Sequence, residues 1–228
     1  MLSATSDSPR PQPGILTGRV LSGLEFAVGA IVVIGHNVWR VIPNEVPILV
    51  VVGLISIRVR NGGWSAIGLR RPESWSRVLW LALAAAALRI VLGEFVVDPL
   101  AERFWPPAIA PAGSEAIAGS LPTELAALLF VWVFAAFGEE IAYRGYLLRR
   151  AAEAGQGTAA AYWLAMVLVS ILFGFGHFYK GPSGIIDSGV AGLILGAAYL
   201  LSGRNLWTCI LAHGLIDTLA VAIVYFGW

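Results

Sequence analysis

The chain has 228 residues, 58% of them hydrophobic and only 13% charged, with a mean hydropathy of +0.78; a soluble domain carries about 25% charged residues. This composition excludes an ordinary soluble domain and implies an all-α, polytopic transmembrane helix bundle, whose backbone groups are satisfied within each helix. A formal net charge of +1, with the basic residues scattered through short loops, excludes a nucleic-acid partner.

Residues 1–19 begin MLSATSDSPRPQPG, rich in Ser and Pro and without an apolar h-region, so they read as a disordered tail rather than a signal peptide. A span needs about 20 predominantly apolar residues, and seven stretches approach that: 20–39, 45–59, 75–93, 122–150, 159–179, 184–202 and 205–226. The second is short and has Pro47 near its start. The fourth is too long for one crossing, so its last turns, with Arg149, Arg150 and Glu153, are expected to project into water. Residues 98–120, with four prolines, read as a long non-spanning outer loop in which Phe104 and Trp105 sit at headgroup depth. In the sixth span Ser188, Gly192 and Gly196 recur every four residues, a stripe of small side chains suited to close helix packing.

With seven crossings, Arg10, Arg19, Arg58, Arg60, Arg70, Arg71, Arg77, Arg149, Arg150 and Arg204 share one side. Acidic residues crowd the other, so the N-terminus is expected inside, in a bacterial cytoplasmic membrane. Cys209, the only cysteine, can form no internal disulfide. The expected organisation is the tail, then membrane helices and outer loop over 20–120, integrated with a catalytic core over 121–228.

Ionisable or metal-binding groups at membrane depth are few, and most fall in three short clusters. Each such group costs on the order of 2.5–3.5 kcal/mol at the bilayer centre on insertion scales, so three clusters call for one shared polar site. In FGEEIAYRGYLL, Glu140 and Arg144 are four apart on one helix face and suit an ion pair, while Glu139 points about 100° away, toward another helix or a water-filled cavity. Phe173 and His177 in FGFGHF, and His213 and Asp217 in HGLID, are again four apart. Each pair alone also has a structural reading, as an ion pair, an interfacial histidine or a local helix hydrogen bond. Together a carboxylate, two imidazoles and a further oxygen suit hydrolysis, because a carboxylate can deprotonate water that the imidazoles hold. His36 reads as interfacial, and Glu25 and Arg89 as partners between spans or as lining of a substrate route.

The order EE-x-x-x-R, F-x-x-x-H, H-x-x-x-N/D, at Glu139, Glu140, Arg144, Phe173, His177, His213 and Asp217, resembles the CAAX protease and bacteriocin-processing (CPBP, or ABI) family of membrane proteases over residues 121–226. The resemblance implies an intramembrane endopeptidase acting on membrane-anchored proteins or peptides, prenylated chains among them. Glu139 would be the general base, Glu140 and Arg144 its support, and His177, His213 and Asp217 the holders of water or of the oxyanion. The family often has asparagine where this chain has Asp217. The cofactor is either none or a divalent metal such as zinc, with Glu139, His177 and His213 as candidate ligands; no H-E-x-x-H occurs. A non-catalytic immunity or scaffold protein and a proton-coupled transporter are the competing functions. A naive axial count puts His177 about 10 Å from the depth of Glu139, so the turn after His177 must dip inward or its helix must tilt.

Overall fold

Seven helices of alternating direction account for most of residues 15–106 and 118–227, which the computed structural model describes; no strand occurs among them. They are α1 (Ile15–Asn37), α2 (Glu45–Asn61), α3 (Trp75–Phe104), α4 (Leu121–Ala154), α5 (Ala159–Phe175), α6 (Gly181–Leu201) and α7 (Leu206–Phe226). Residues 1–14 of the expected tail and 107–117 of the expected outer loop lie outside the described residues. The first helix begins at Ile15, five residues earlier than the span expected from 20.

Short polar side chains start several of these helices. Asn44, Ser74, Thr158 and Asn205 each accept a hydrogen bond from a backbone N–H in the first turn of α2, α3, α5 and α7. Five helical stretches are long and apolar enough to cross a bilayer, whereas α2 and α5 have 17 residues each.

Two stretches differ from expectation. Helix α3 does not stop at 93 but continues to Phe104 through a π-helical turn at Gly93–Val97. Glu94, Asp98 and Glu102 gave that stretch the look of a loop, yet they recur every four residues, and Asp98 bonds within the helix to the Gly93 carbonyl. The end of α4 does not project into water. Arg150 is fully buried, donating to Glu25, Ser56 and Glu153 at 2.6–2.7 Å, and Arg60 reaches the other Glu25 oxygen at 2.5 Å. Arg149 in turn bonds Glu153 at 2.7 Å and the Ala66 carbonyl. A charge cluster thus staples α1, α2 and α4 at one end of the bundle.

At that same end the α2–α3 connection packs under the α6–α7 turn. Leu206 N–H bonds the Gly68 carbonyl at 3.1 Å and Tyr199 Oη the Ile67 carbonyl at 3.0 Å. Gly68 has φ +90°, and a methyl group there would run into the Arg204 carbonyl, so only glycine fits. The small-residue stripe of α6 does what its spacing suggested. A Cβ on Gly192 would lie 3.0 Å from Ser170 Cα and one on Gly196 2.5 Å from Met166 Cγ, so α5 and α6 are in close backbone contact.

Candidate active site

Helix α4 is wound as a π-helix over Val131–Leu147, with Leu148 N–H reaching back to the Tyr143 carbonyl. Such winding is rare and concentrates at functional sites. Inside it, Glu140 and Arg144 are buried and joined, Arg144 Nη1 donating to Glu140 Oε1 at 2.8 Å. The guanidinium also donates to the Gly192 carbonyl of α6 at 3.3 Å and lies 4.5 Å from the centre of the Phe173 ring.

His213, brought by α7, gives Nδ1 to the same Glu140 Oε1 at 2.8 Å. Its Nε2 faces Asp217 Oδ2 at 3.5 Å, longer than the usual 2.7–3.2 Å of an N–H···O bond. The histidine expected to face Glu139 is therefore hydrogen-bonded to Glu140. Glu139 stands beside this group, within electrostatic reach of His213 and Asp217, and its buried Oε2 has no hydrogen-bond partner; Glu140 Oε2 is likewise unpartnered.

His177 reaches the cluster through Phe173 rather than through a polar contact. Its Nδ1 donates to the Phe173 carbonyl at 3.0 Å, which in the neutral ring leaves the lone pair at Nε2. The Phe173 ring lies 4.8 Å from His177, 6.2 Å from His213 and 5.0 Å from Tyr143 between centroids, so one phenyl carries both imidazoles. The start of α2 and the turn that ends α5 both meet α4 beside the glutamates. A Cβ on Gly138 would touch Val46 at the start of α2, and one on Gly176 would lie 2.8 Å from Tyr143 Oη, so both helices end at the level of the two glutamates.

Two groups were not singled out as site residues from sequence. Glu45 is buried, takes the Tyr143 hydroxyl at 3.4 Å and pairs with His36 Nε2 at 3.4 Å. Tyr179 stacks near His177, 6.1 Å between rings. The available signal was an acid directly after an Asn cap on an apolar helix. Glu25 and Arg89 pair between helices, Glu25 with Arg60 and Arg150 and Arg89 with Asp187. Among the described residues no three His, Cys, Asp or Glu side chains form a group able to hold a metal ion. Both ring nitrogens of His213 face carboxylates, so Glu139, His177 and His213 do not fit a three-ligand zinc site.

Residues 121–219 match a family model described as Type II CAAX prenyl endopeptidase Rce1-like. That segment, somewhat under half of the chain, is similar to the CAAX-type membrane proteases. All the residues of the three sequence motifs lie in the matched segment, and at family level the match supports an intramembrane protease of the CAAX type. Five helices long and apolar enough to span a bilayer, together with this match, support an integral membrane protein. No curated protein and no solved structure matches it significantly.

Proposed function

We infer that the chain is an endopeptidase hydrolysing peptide bonds of membrane-associated proteins or peptides, prenylated ones included, with water activated by Glu139. One observation carries the division of roles. Glu140 is held through Oε1 by Arg144 and His213, whereas among the described residues no hydrogen bond or ion pair holds the Glu139 carboxylate, whose Oε2 is buried. An unpartnered buried acceptor is costly unless it serves a purpose, and accepting the proton of water is such a purpose.

In the step proposed, Glu139 takes a proton from water as the water oxygen bonds to the scissile carbonyl carbon. His177 Nε2 accepts from the second water hydrogen and so aims it. The oxyanion forms beside His213 Nε2, whose loose 3.5 Å contact with Asp217 yields to the stronger charge. Collapse breaks the C–N bond, and Glu139 passes its proton to the departing amine. Residues 20–120 are proposed to form one domain with the core, and the basic end of the bundle, where Arg58, Arg70, Arg71 and Arg77 lie, to face inward.

The test is cleavage of lipid-anchored and prenylated peptides by detergent-purified protein. Glu139→Gln is expected to lower kcat by about 10²–10⁴ while the protein still inserts and purifies as a folded bundle. Full turnover by that variant would remove Glu139 from the mechanism. His213→Ala is expected to cost about 10²–10³ in kcat, and equal cleavage by the wild type and both variants would overturn the protease reading.

A further inference from the structure

Where α1 and α2 meet, the bundle holds a cavity of about 440 Å³ lined by His36, Asn37, Arg40, Ile42 and Tyr179. None of these five is acidic. The cations at it are Arg40, in its lining, and Lys180, whose ammonium lies 5.9 Å from the centre of the Tyr179 ring; Glu45, Glu139 and Asp217 act on Tyr179 from the catalytic side. Among the described residues Arg40 has no hydrogen-bond or ion-pair partner, and His36 already faces its own carboxylate, Glu45.

The loop presenting Arg40 is closed and fixed. Val41 N–H bonds the Gly35 carbonyl at 2.9 Å, Trp39 N–H the Ile34 carbonyl at 3.1 Å and His36 Nδ1 the Ile42 carbonyl at 3.0 Å. Arg40 itself has φ +56°, a left-handed conformation uncommon for a residue other than glycine and concentrated at ligand-clamping positions. The cavity lies beside the catalytic cluster: the Tyr179 ring is 6.1 Å from that of His177 between centroids, and His36 pairs with Glu45, which takes the Tyr143 hydroxyl.

Resting on the protease reading, we propose that this cavity is a specificity subsite in which Arg40 binds a carboxylate of the substrate peptide lying a few residues from the cleaved bond. The carboxylate is either an acidic side chain or the chain terminus, and a guanidinium suits both as a planar, permanently charged donor. The N-terminal helices, outside the segment that matches the protease family, thereby contribute selectivity to a site whose chemistry lies in α4, α5 and α7.

The experiment reads binding, so it does not depend on turnover. Fluorescent lipid-anchored peptides, identical except for one carboxylate or its amide at the side chain or at the C-terminus, are titrated onto the full-length chain carrying Glu139→Gln in neutral-lipid nanodiscs. The acid form is expected to bind about tenfold tighter than the amide, and the position showing the preference identifies the carboxylate. Adding Arg40→Gln is expected to bring the ratio near one, Arg40→Lys to keep part of it, and Arg103→Gln, at an exposed arginine that does not line the cavity, to leave it intact. Equal or absent binding of the acid and amide forms, or a preference that survives Arg40→Gln, overturns the proposal. So does an unchanged ratio with weakened retention of anionic lipid, which would assign the cavity to a lipid phosphate. Equal cleavage by the wild type, Glu139→Gln and His213→Ala would defeat the protease reading and leave this binding result standing.

Discussion

Oε1 of Glu140 is a single atom on which two helices depend, accepting from Arg144 within α4 and from His213 on α7. Removing either partner leaves a buried charge with less compensation than it has now. Arg144→Ala is therefore expected to destabilise the protein by about 3–5 kcal/mol as well as inactivate it, read as a lowered midpoint of thermal unfolding in detergent. Phe173 matters in a different way, since its ring carries His177, His213 and the Arg144 guanidinium but no proton. Phe173→Ala should cost about 3–5 kcal/mol of packing, whereas Phe173→Leu should remain folded and lose chiefly kcat, a split that kinetics on the purified variants would reveal. The i, i+4 pairs of the site were legible in the sequence because helical spacing is local. That His213 bonds Glu140 rather than facing Glu139 was not, because which of two adjacent carboxylates meets another helix depends on how α4 is wound, and the π-helical stretch leaves no clear mark in residue types.

Among the elements, α5 and α6 come closest, and the glycines that permit this also fix the site, since the Gly192 carbonyl accepts from Arg144. A side chain at 192 meets the Ser170 backbone, which cannot move aside, while one at 196 meets the flexible Met166. Gly192→Val is expected to destabilise by about 1–3 kcal/mol or more and to lower activity, with Gly196→Ala milder in both, as unfolding and peptide cleavage would show. The stripe was readable because small residues every four positions have few other uses in a membrane helix. The continuation of α3 was hidden by its charges, which on composition alone resemble a loop. The shortness of α2 and α5 was visible only in part, since apolar residues beyond Phe175 extended the apparent fifth span. The true stop is a turn at Gly176 and His177.

At the scale of the whole molecule, the family match begins at 121, but the bundle does not. Tyr199, Leu206 and Arg150 each have a partner in residues before 70. A fragment of residues 121–228 should therefore leave Arg150 buried without Glu25 and Ser56, and is expected to aggregate in detergent. Co-expression with residues 1–120 should restore a particle of full size by size-exclusion chromatography, and recovery of a monodisperse, active fragment alone would contradict the single-domain reading. Hydropathy revealed the number of helices, five of them long and apolar enough to span a bilayer; the charge staple was not readable, because Glu25 and Arg150 lie 125 positions apart and no local spacing connects them.

The staple also constrains how the protein is made. Glu25 enters the membrane with α1, long before α4 is synthesised, and an acid left there alone would be expensive. Arg60 and Ser56 arrive next, on α2, and can hold it at once. When Arg150 emerges it meets an acceptor already in place, so for this staple the order of helices along the chain is also an order of assembly.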